Sequence, residues 1–274
     1  VKISKKPLRG VKDLDGRLQE VFALAALPGH SNLVRYHSAW VYDSLLYIQT
    51  EYCDGGNLLA EIKKKGHNCT ERELCDMLLQ LASGLDCLHT HKMVHKDIKP
   101  ENIYLCTDAQ NNKRYKIGDL GLIKGSQKAN SDNLFDFDFD NNDGDCRYLA
   151  PEVLNAPSTP SSDIFSLGMS MLHLATGVDP PKHLYQREKM VSLPSRFSPE
   201  FQQLLQEMMA PNPQDRPTAK ELLRLPLLVP AKENPIFREM SEENMQLKQE
   251  VAVLREKLLL LAKSPVFETY SMNA

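Results

Sequence analysis

Between Leu74 and Leu88, apolar residues recur three and four apart: Leu74, Met77, Leu78, Leu81, Leu85 and Leu88. That spacing predicts a helix with one apolar face. Thr70-Glu71-Arg72-Glu73, just ahead of it, has the form of a capping box and marks the start. The leucines read as core, in a buried support that delivers the stretch after it. His89 and His91 fall at its end, where capping is the better reading than metal binding, because no acid or cysteine stands at ligand spacing. A second run, Ser162 to Ala175, is apolar on nearly every side, which predicts a buried helix. Leu14 to Leu27 predicts a third helix, with Leu18, Val21, Phe22 and Ala25 on one face and Glu20 on the same helix. Strand-like runs cover Val1-Lys2-Ile3, Leu33 to His37 and Leu45 to Tyr52. Asp54-Gly55-Gly56-Asn57 is a turn signal opening a short helix toward Lys65.

The pattern breaks between Asp119 and Glu152. Asp132, Asp136, Asp138, Asp140, Asp143 and Asp145 stand among Asn, Ser and Gly, which predicts a mobile, exposed loop. Phe135, Phe137 and Phe139 alternate with aspartates, so a short strand also fits; the loop is preferred. Pro226, Pro230 and Pro235 punctuate a linker. Beyond it, Met240, Asn244, Leu247, Val251, Leu254, Leu258 and Leu261 recur at alternating steps of four and three, a heptad seam. Three heptads fit a marginal coiled coil with a partner helix and a helix packed back on the domain equally well. The expected division is a main domain over 1–229, a linker over 230–239, an amphipathic helix over 240–263 and a tail over 264–274.

Composition narrows the class. With 274 residues the chain can bury a substantial core in one large domain or two lobes. Its 42% hydrophobic and 25% charged residues are ordinary for a soluble globular protein. A net charge of −3 gives no support to a nucleic-acid partner. The six cysteines form no C-x-x-C pair, which favours reduced thiols in a cytosolic or nuclear protein over a disulfide framework or zinc site. No apolar run reaches the roughly 18 residues of a membrane span, and no signal peptide is visible.

The chemistry concentrates in His95-Lys96-Asp97-Ile98-Lys99-Pro100-Glu101-Asn102. Asp97 can accept a hydroxyl proton, Lys99 can neutralise a phosphate, and Asn102 can hold a metal through its amide oxygen. Phosphoryl transfer needs this set, because its catalysis is positioning plus charge neutralisation. The stretch resembles the protein-kinase catalytic loop H-R-D-x-x-x-x-N, with Lys96 for the arginine. Gly118-Asp119-Leu120-Gly121 resembles D-F-G with Leu120 for phenylalanine, and Ala150-Pro151-Glu152 matches A-P-E. Each tripeptide is weak alone; three in order are strong. Asn212-Pro213-Gln214-Asp215-Arg216-Pro217 resembles the late kinase motif whose arginine pairs with the A-P-E glutamate, here Arg216 with Glu152. Asp163 corresponds to the aspartate that bonds the catalytic-loop backbone.

A narrower resemblance follows from Ser4-Lys5-Lys6-Pro7-Leu8, Val34-Arg35-Tyr36, Ser38-Ala39-Trp40, Ile48-Gln49-Thr50-Glu51-Tyr52-Cys53 and Gly144-Asp145-Cys146-Arg147-Tyr148-Leu149. These resemble the Wee-type kinases, which phosphorylate cyclin-dependent kinases on an inhibitory tyrosine and so restrain entry into mitosis. Pro151 is closer to the general kinase form. The initiation-factor kinases share part of the pattern and are the alternative; a pseudokinase-like scaffold is the alternative of another class. The resemblance implies an α+β, two-lobed fold, with a small β-rich lobe and a larger helical one. It implies ATP and magnesium. Lys2 paired with Glu20 would align the phosphates, Thr50 would be the gatekeeper, and Glu51 to Cys53 would form the hinge whose backbone binds adenine. Asp119 and Asn102 would hold magnesium, Lys99 would stabilise the transferring group, and Asp97 would orient the hydroxyl. Lys99, two residues after the acid, is the serine/threonine pattern, whereas the Wee resemblance implies tyrosine as acceptor. It also implies a cyclin-bound cyclin-dependent kinase as partner, no nucleic acid or membrane, and a nuclear location, otherwise cytoplasmic. The chain holds thirteen glycines but no G-x-G. The phosphate-covering loop would precede Lys2, so the sequence reads as a fragment expected to bind ATP weakly or not at all, or else as a protein without that roof.

Overall fold

The computed structural model of the protein describes residues 1–4, 6–8, 21–22, 25–65, 69–107, 112–120, 124–125, 145–182 and 193–229. The chain divides into two units, Val1–Leu228 and Val229–Ala274, and every element below belongs to the first. Glu20, most of the helix expected over Leu14 to Leu27, the aspartate-rich stretch through Asp143, and the expected linker and heptad segment from Pro230 onward lie outside the described residues.

The N-terminal part is built on an antiparallel sheet of β1 (Lys2–Ile3), β2 (Tyr36–Tyr42) and β3 (Leu45–Thr50), in the order β1-β3-β2. Asp43 and Ser44 join β2 to β3 with φ of 50° and 57°, the left-handed pair of a two-residue hairpin turn. Leu46 and Ile48 of β3 are buried, while Tyr47, between Ile3 and Trp40 in register, faces the other way and stacks on Trp40. Alternation of this kind is the period of two that a half-buried strand requires. The strand expected over Leu33 to His37 begins instead at Tyr36. Leu33 bridges in parallel to Ile117 of a different sheet, and burial at 3% exposure holds it there.

The larger part is helical. Helix α1 (Leu58–Lys65) follows the glycine turn, and Asn57 Oδ1 accepts the Ala60 N–H. Helix α2 (Glu71–Thr90) opens on the expected capping box: Thr70 Oγ1 accepts the Glu73 N–H and the Glu73 carboxylate accepts the Thr70 N–H. Leu74, Leu78, Leu81, Leu85 and Leu88 have no exposed surface, and each such burial is worth about 1.5–3 kcal/mol over exposure. His91 does cap this helix, through N–H and ring contacts to Cys87 O, but His89 is turned inward to Asp163. Helix α3 (Pro160–Thr176) is buried from Ser162 to Ala175, as its sequence requires. Its hydroxyls solve the polar problem of that burial: Ser166 and Ser170 each donate to the carbonyl one turn back. Gly177, at φ 72°, closes the helix in the left-handed conformation that glycine adopts without penalty. Helices α4 (Pro199–Met208) and α5 (Ala219–Leu222) follow, with α4 packed on α3 and α5 on α2.

Between the two parts run hairpin β5 (Ile103–Thr107) and β6 (Lys113–Ile117), and the short pair β4 (Met93–Val94) with β7 (Lys124–Gly125). The catalytic-loop sequence sits between β4 and β5, and Gly118-Asp119 follows β6.

Candidate active site

The stretch after β4 is fixed from below by one buried carboxylate. Asp163, 1% exposed on α3, accepts the His95 N–H at 2.8 Å on one oxygen and the Lys96 N–H at 2.9 Å on the other; His89 Nε2 lies 3.0 Å from the first. These bonds hold Lys96 at φ 71°, a left-handed value that costs a non-glycine residue on the order of 1–3 kcal/mol. Asp119, at φ 55°, is the second strained residue of the site. The preceding Gly118 is fixed on both sides: its N–H donates to Asn102 O at 2.9 Å and its carbonyl lies 3.0 Å from His95 Nε2. Backbone strain collects here because surrounding bonds over-determine it.

Asp97 is placed by the same loop. Its Oδ2 lies 2.8 Å from Lys99 Nζ and 2.8 Å from Asn102 Nδ2, while its Oδ1 accepts the Asp145 N–H at 3.0 Å. Asn102 Nδ2 also donates to Asp97 O, which leaves the amide Oδ1 of Asn102 as an acceptor for another group. The three catalytic-loop residues picked from sequence therefore meet around one carboxylate, and Asn102 links it through Gly118 to Asp119. Lys2 Nζ stands 2.7 Å from Asp119 Oδ1. Its expected partner, Glu20, lies outside the described residues.

Above this cluster opens a cavity of about 500 Å³, lined among others by Lys2, Val34, Ile48, Thr50 and Tyr104, by the segment Glu51 to Cys53, and by Gly118 to Leu120. Glu51 departs from a simple hinge role. Its N–H donates to Arg35 O at 2.7 Å, and its carboxylate is held by Lys116 Nζ and the Arg35 N–H. The Glu51 N–H is thus already used, and the hinge has its carbonyl and the Cys53 backbone to offer. Burial, then a hydrogen bond with Cys106, pushes the Cys53 thiol up to about 12, so it stays protonated and unreactive. Tyr104 forms part of the wall, and burial first and Asp119 second raise its hydroxyl above the usual tyrosine value. Sequence reading passed over Tyr104; its signal was the alternation Ile103-Tyr104-Leu105, with the two flanking residues buried. Asp145, inside Gly144-Asp145-Cys146-Arg147-Tyr148-Leu149, read only as one of the acidic residues of an exposed loop; nothing local marks its backbone contact to Asp97.

The donor set fits magnesium and a nucleotide. Asp119 carboxylate and Asn102 Oδ1 are hard oxygen donors, and magnesium is commonly held by one or two carboxylates together with substrate phosphates. The cavity's size and its mix of apolar walls with backbone polar groups suit a nucleotide base.

Farther out, Arg216 reaches Glu152 through both terminal nitrogens, at 2.6 and 2.9 Å, and its guanidinium lies 4.9 Å over the Phe165 ring. This is the pair expected from A-P-E and the late arginine.

The protein kinase domain family matches residues 1–228. Wee1-like protein kinase 2 of Ailuropoda melanoleuca is 35% identical over 260 residues, covering 84% of this chain and 44% of that one. The protein of the same name in Danio rerio is 33% identical over 296 residues, covering 97% and 54%, and that of Xenopus tropicalis is 33% identical over 289, covering 96% and 48%. The chain spans about half the length of these curated relatives. Family match and site geometry agree: the chain belongs to the protein kinase family, and to its Wee type.

Proposed function

We propose that the protein transfers the γ-phosphate of ATP to a tyrosine of a cyclin-bound cyclin-dependent kinase, and that it does so in the nucleus. The carrying observation is Asp97, held at once by Lys99, Asn102 and the Asp145 N–H and linked through Gly118 to Asp119. Asp97 orients the acceptor hydroxyl and takes its proton as the new P–O bond forms and the bond from the γ-phosphorus to the bridging oxygen breaks, so that ADP leaves. Lys99, tied to the same carboxylate, places a positive charge where the transferring phosphoryl oxygens pass. Asp119 and Asn102 hold magnesium, whose chemistry here is to neutralise phosphate charge. Lys2 supplies a cation at the cavity mouth, and the backbone of Glu51 to Cys53 receives adenine. The tyrosine acceptor and the partner rest on the Wee-type likeness, since the catalytic loop itself has the serine/threonine form.

The test is incubation of the protein with Mg-ATP and a cyclin-bound cyclin-dependent kinase, with the product mapped by mass spectrometry. A phosphotyrosine on that kinase is the expected result. Phosphate only on an initiation factor moves the assignment to the alternative family, and no transfer to any protein favours the scaffold. Imaging of a fluorescent fusion reads the nuclear part.

A further inference from the structure

Asp97 has two oxygens. Oδ2 is accounted for by residues of its own loop, Lys99 and Asn102. Oδ1 is fixed from elsewhere, by the Asp145 N–H. Besides the Tyr148 N–H, which donates to Asp145 O at 2.9 Å, the side-chain contacts that place this N–H run through Arg147. The Arg147 N–H donates to Asp145 Oδ1 at 3.0 Å, which closes a tight Asx-type turn. The guanidinium then clasps the same carboxylate, Nε at 3.1 and 3.2 Å and Nη2 at 2.7 Å. Nη2 also reaches Glu101 of the catalytic loop at 3.0 Å, and Nη1 reaches Asp179 beyond α3 at 3.3 Å. Burial alone would raise the Asp145 carboxyl, but the Arg147 bonds outweigh it and hold it below the usual range. The next residue anchors the turn to the helix core: Tyr148 is 2% exposed, its hydroxyl lies 2.8 Å from His173 Nδ1, and its carbonyl accepts from Ser166 Oγ.

We infer that Arg147 is a positioning residue for phosphoryl transfer: by clasping Asp145 and Glu101 it sets the backbone N–H that aims the Asp97 carboxylate. A planar fork does this where a lysine cannot, because two carboxylates, Asp145 and Glu101, must be met in fixed directions. Asp179 is the expendable member, being 73% exposed at its side chain and the longest contact. The inference rests on the kinase reading above, so its test carries one readout independent of turnover.

The experiment compares the whole chain with its Arg147→Ala, Arg147→Lys and Asp179→Asn variants. Turnover is measured with Mg-ATP and a tyrosine-containing copolymer, and amide exchange at Asp145 is followed by nitrogen-15 NMR. Misplacing a catalytic group by about 1 Å costs on the order of 10²-fold. Arg147→Ala is expected to lower kcat about 10- to 100-fold with KM for ATP within about 3-fold, and to accelerate Asp145 exchange. Arg147→Lys should recover less than half of that loss on a logarithmic scale, and Asp179→Asn should stay within about 2-fold. Unchanged exchange at Asp145 overturns the inference whatever the rates do. So does a kcat within 2-fold of the parent, or a loss carried by KM alone. If Arg147→Ala does not fold, Arg147→Lys decides by the same two readouts. A parent chain that transfers no phosphate, yet loses Asp145 protection on substitution, sinks the kinase reading and leaves the clasp standing.

Discussion

Two carboxylates of the site differ in what surrounds them, and so should their variants. Asp97 is engaged by three protein donors, whereas Asp119 is 42% exposed at its side chain and faces Lys2. Asp97→Asn is expected to lower turnover roughly 10²–10⁴-fold, the worth of a positioned proton acceptor, and to leave nucleotide affinity near the parent's. Asp119→Asn should instead weaken Mg-ATP binding, because a metal ligand is lost; calorimetry separates the two. Parental turnover in both variants would remove phosphoryl transfer from the protein. Cysteines make a second contrast at this scale. Cys53 is held as a thiol by burial and Cys106, with its value near 12, while Cys146 is exposed. Alkylation by iodoacetamide at neutral pH should label Cys146 well before Cys53 in the folded protein, since the thiolate is the nucleophile. Peptide mapping reads the order, and equal labelling would show that the hinge is open.

At the scale of elements, the cavity depends on how closely β5 approaches the strand end that carries Gly118. A Cβ at Gly118 would stand 2.7 Å from the Tyr104 ring and 2.8 Å from the Val34 side chain. Gly118→Ala must push one of them away, and overpacking of this kind costs about 1–3 kcal/mol. Urea unfolding should show that loss, and a fluorescent ATP analogue should bind more weakly, because Tyr104 and Val34 both line the cavity. Full stability with parental affinity would show that the β5 hairpin moves aside freely. Helix α2 and helix α3 were both legible from periodicity, one from a single apolar face and the other from apolar residues all round. Strand β2 was misplaced because its neighbour Leu33 is as apolar as a strand residue, and its pairing with Ile117 lies far along the chain.

For the whole molecule, the pair Glu152–Arg216 ties the start of the long C-terminal helical region to its end. Arg216 also donates to Ala210 O and Ser161 O, so three separate segments meet at one guanidinium. Arg216→Ala leaves Glu152 without its partner, and breaking one side of a buried pair costs roughly 3–5 kcal/mol. Denaturant melts are the measurement, and a loss under about 1 kcal/mol would mean the pair is replaceable. Acid acts through the other clasp. Asp145 titrates below its ordinary value of 3.8 in the folded protein. A lowered carboxylate contributes stability that is complete above the unfolded value and disappears as pH falls through the folded one. The Asp145–Arg147 contribution should therefore be intact at about pH 5 and above, begin to fade near the unfolded value of about 4, and be gone only once the pH has fallen through the lower, folded value. An Asp145→Asn chain should show a shallower loss of stability across that acid window than the parent, and parallel curves would remove Asp145 as the source.

The sequence by itself determined the chemistry and the helical frame. Asp97, Lys99 and Asn102 lie within six residues of one loop, so local spacing alone brings them together. The buried helices announce themselves in their periodicity, and the late arginine and its glutamate in their motifs. Only the tertiary structure decided what surrounds them. That Asp145 reaches Asp97 across 48 positions, that Arg147 reaches Glu101 across 46, and that Tyr104 joins the cavity wall beside Cys53 are facts of packing. No local propensity records them, because a hydrogen bond between distant backbone and side-chain atoms exists only after the helices have closed their core and fixed both ends.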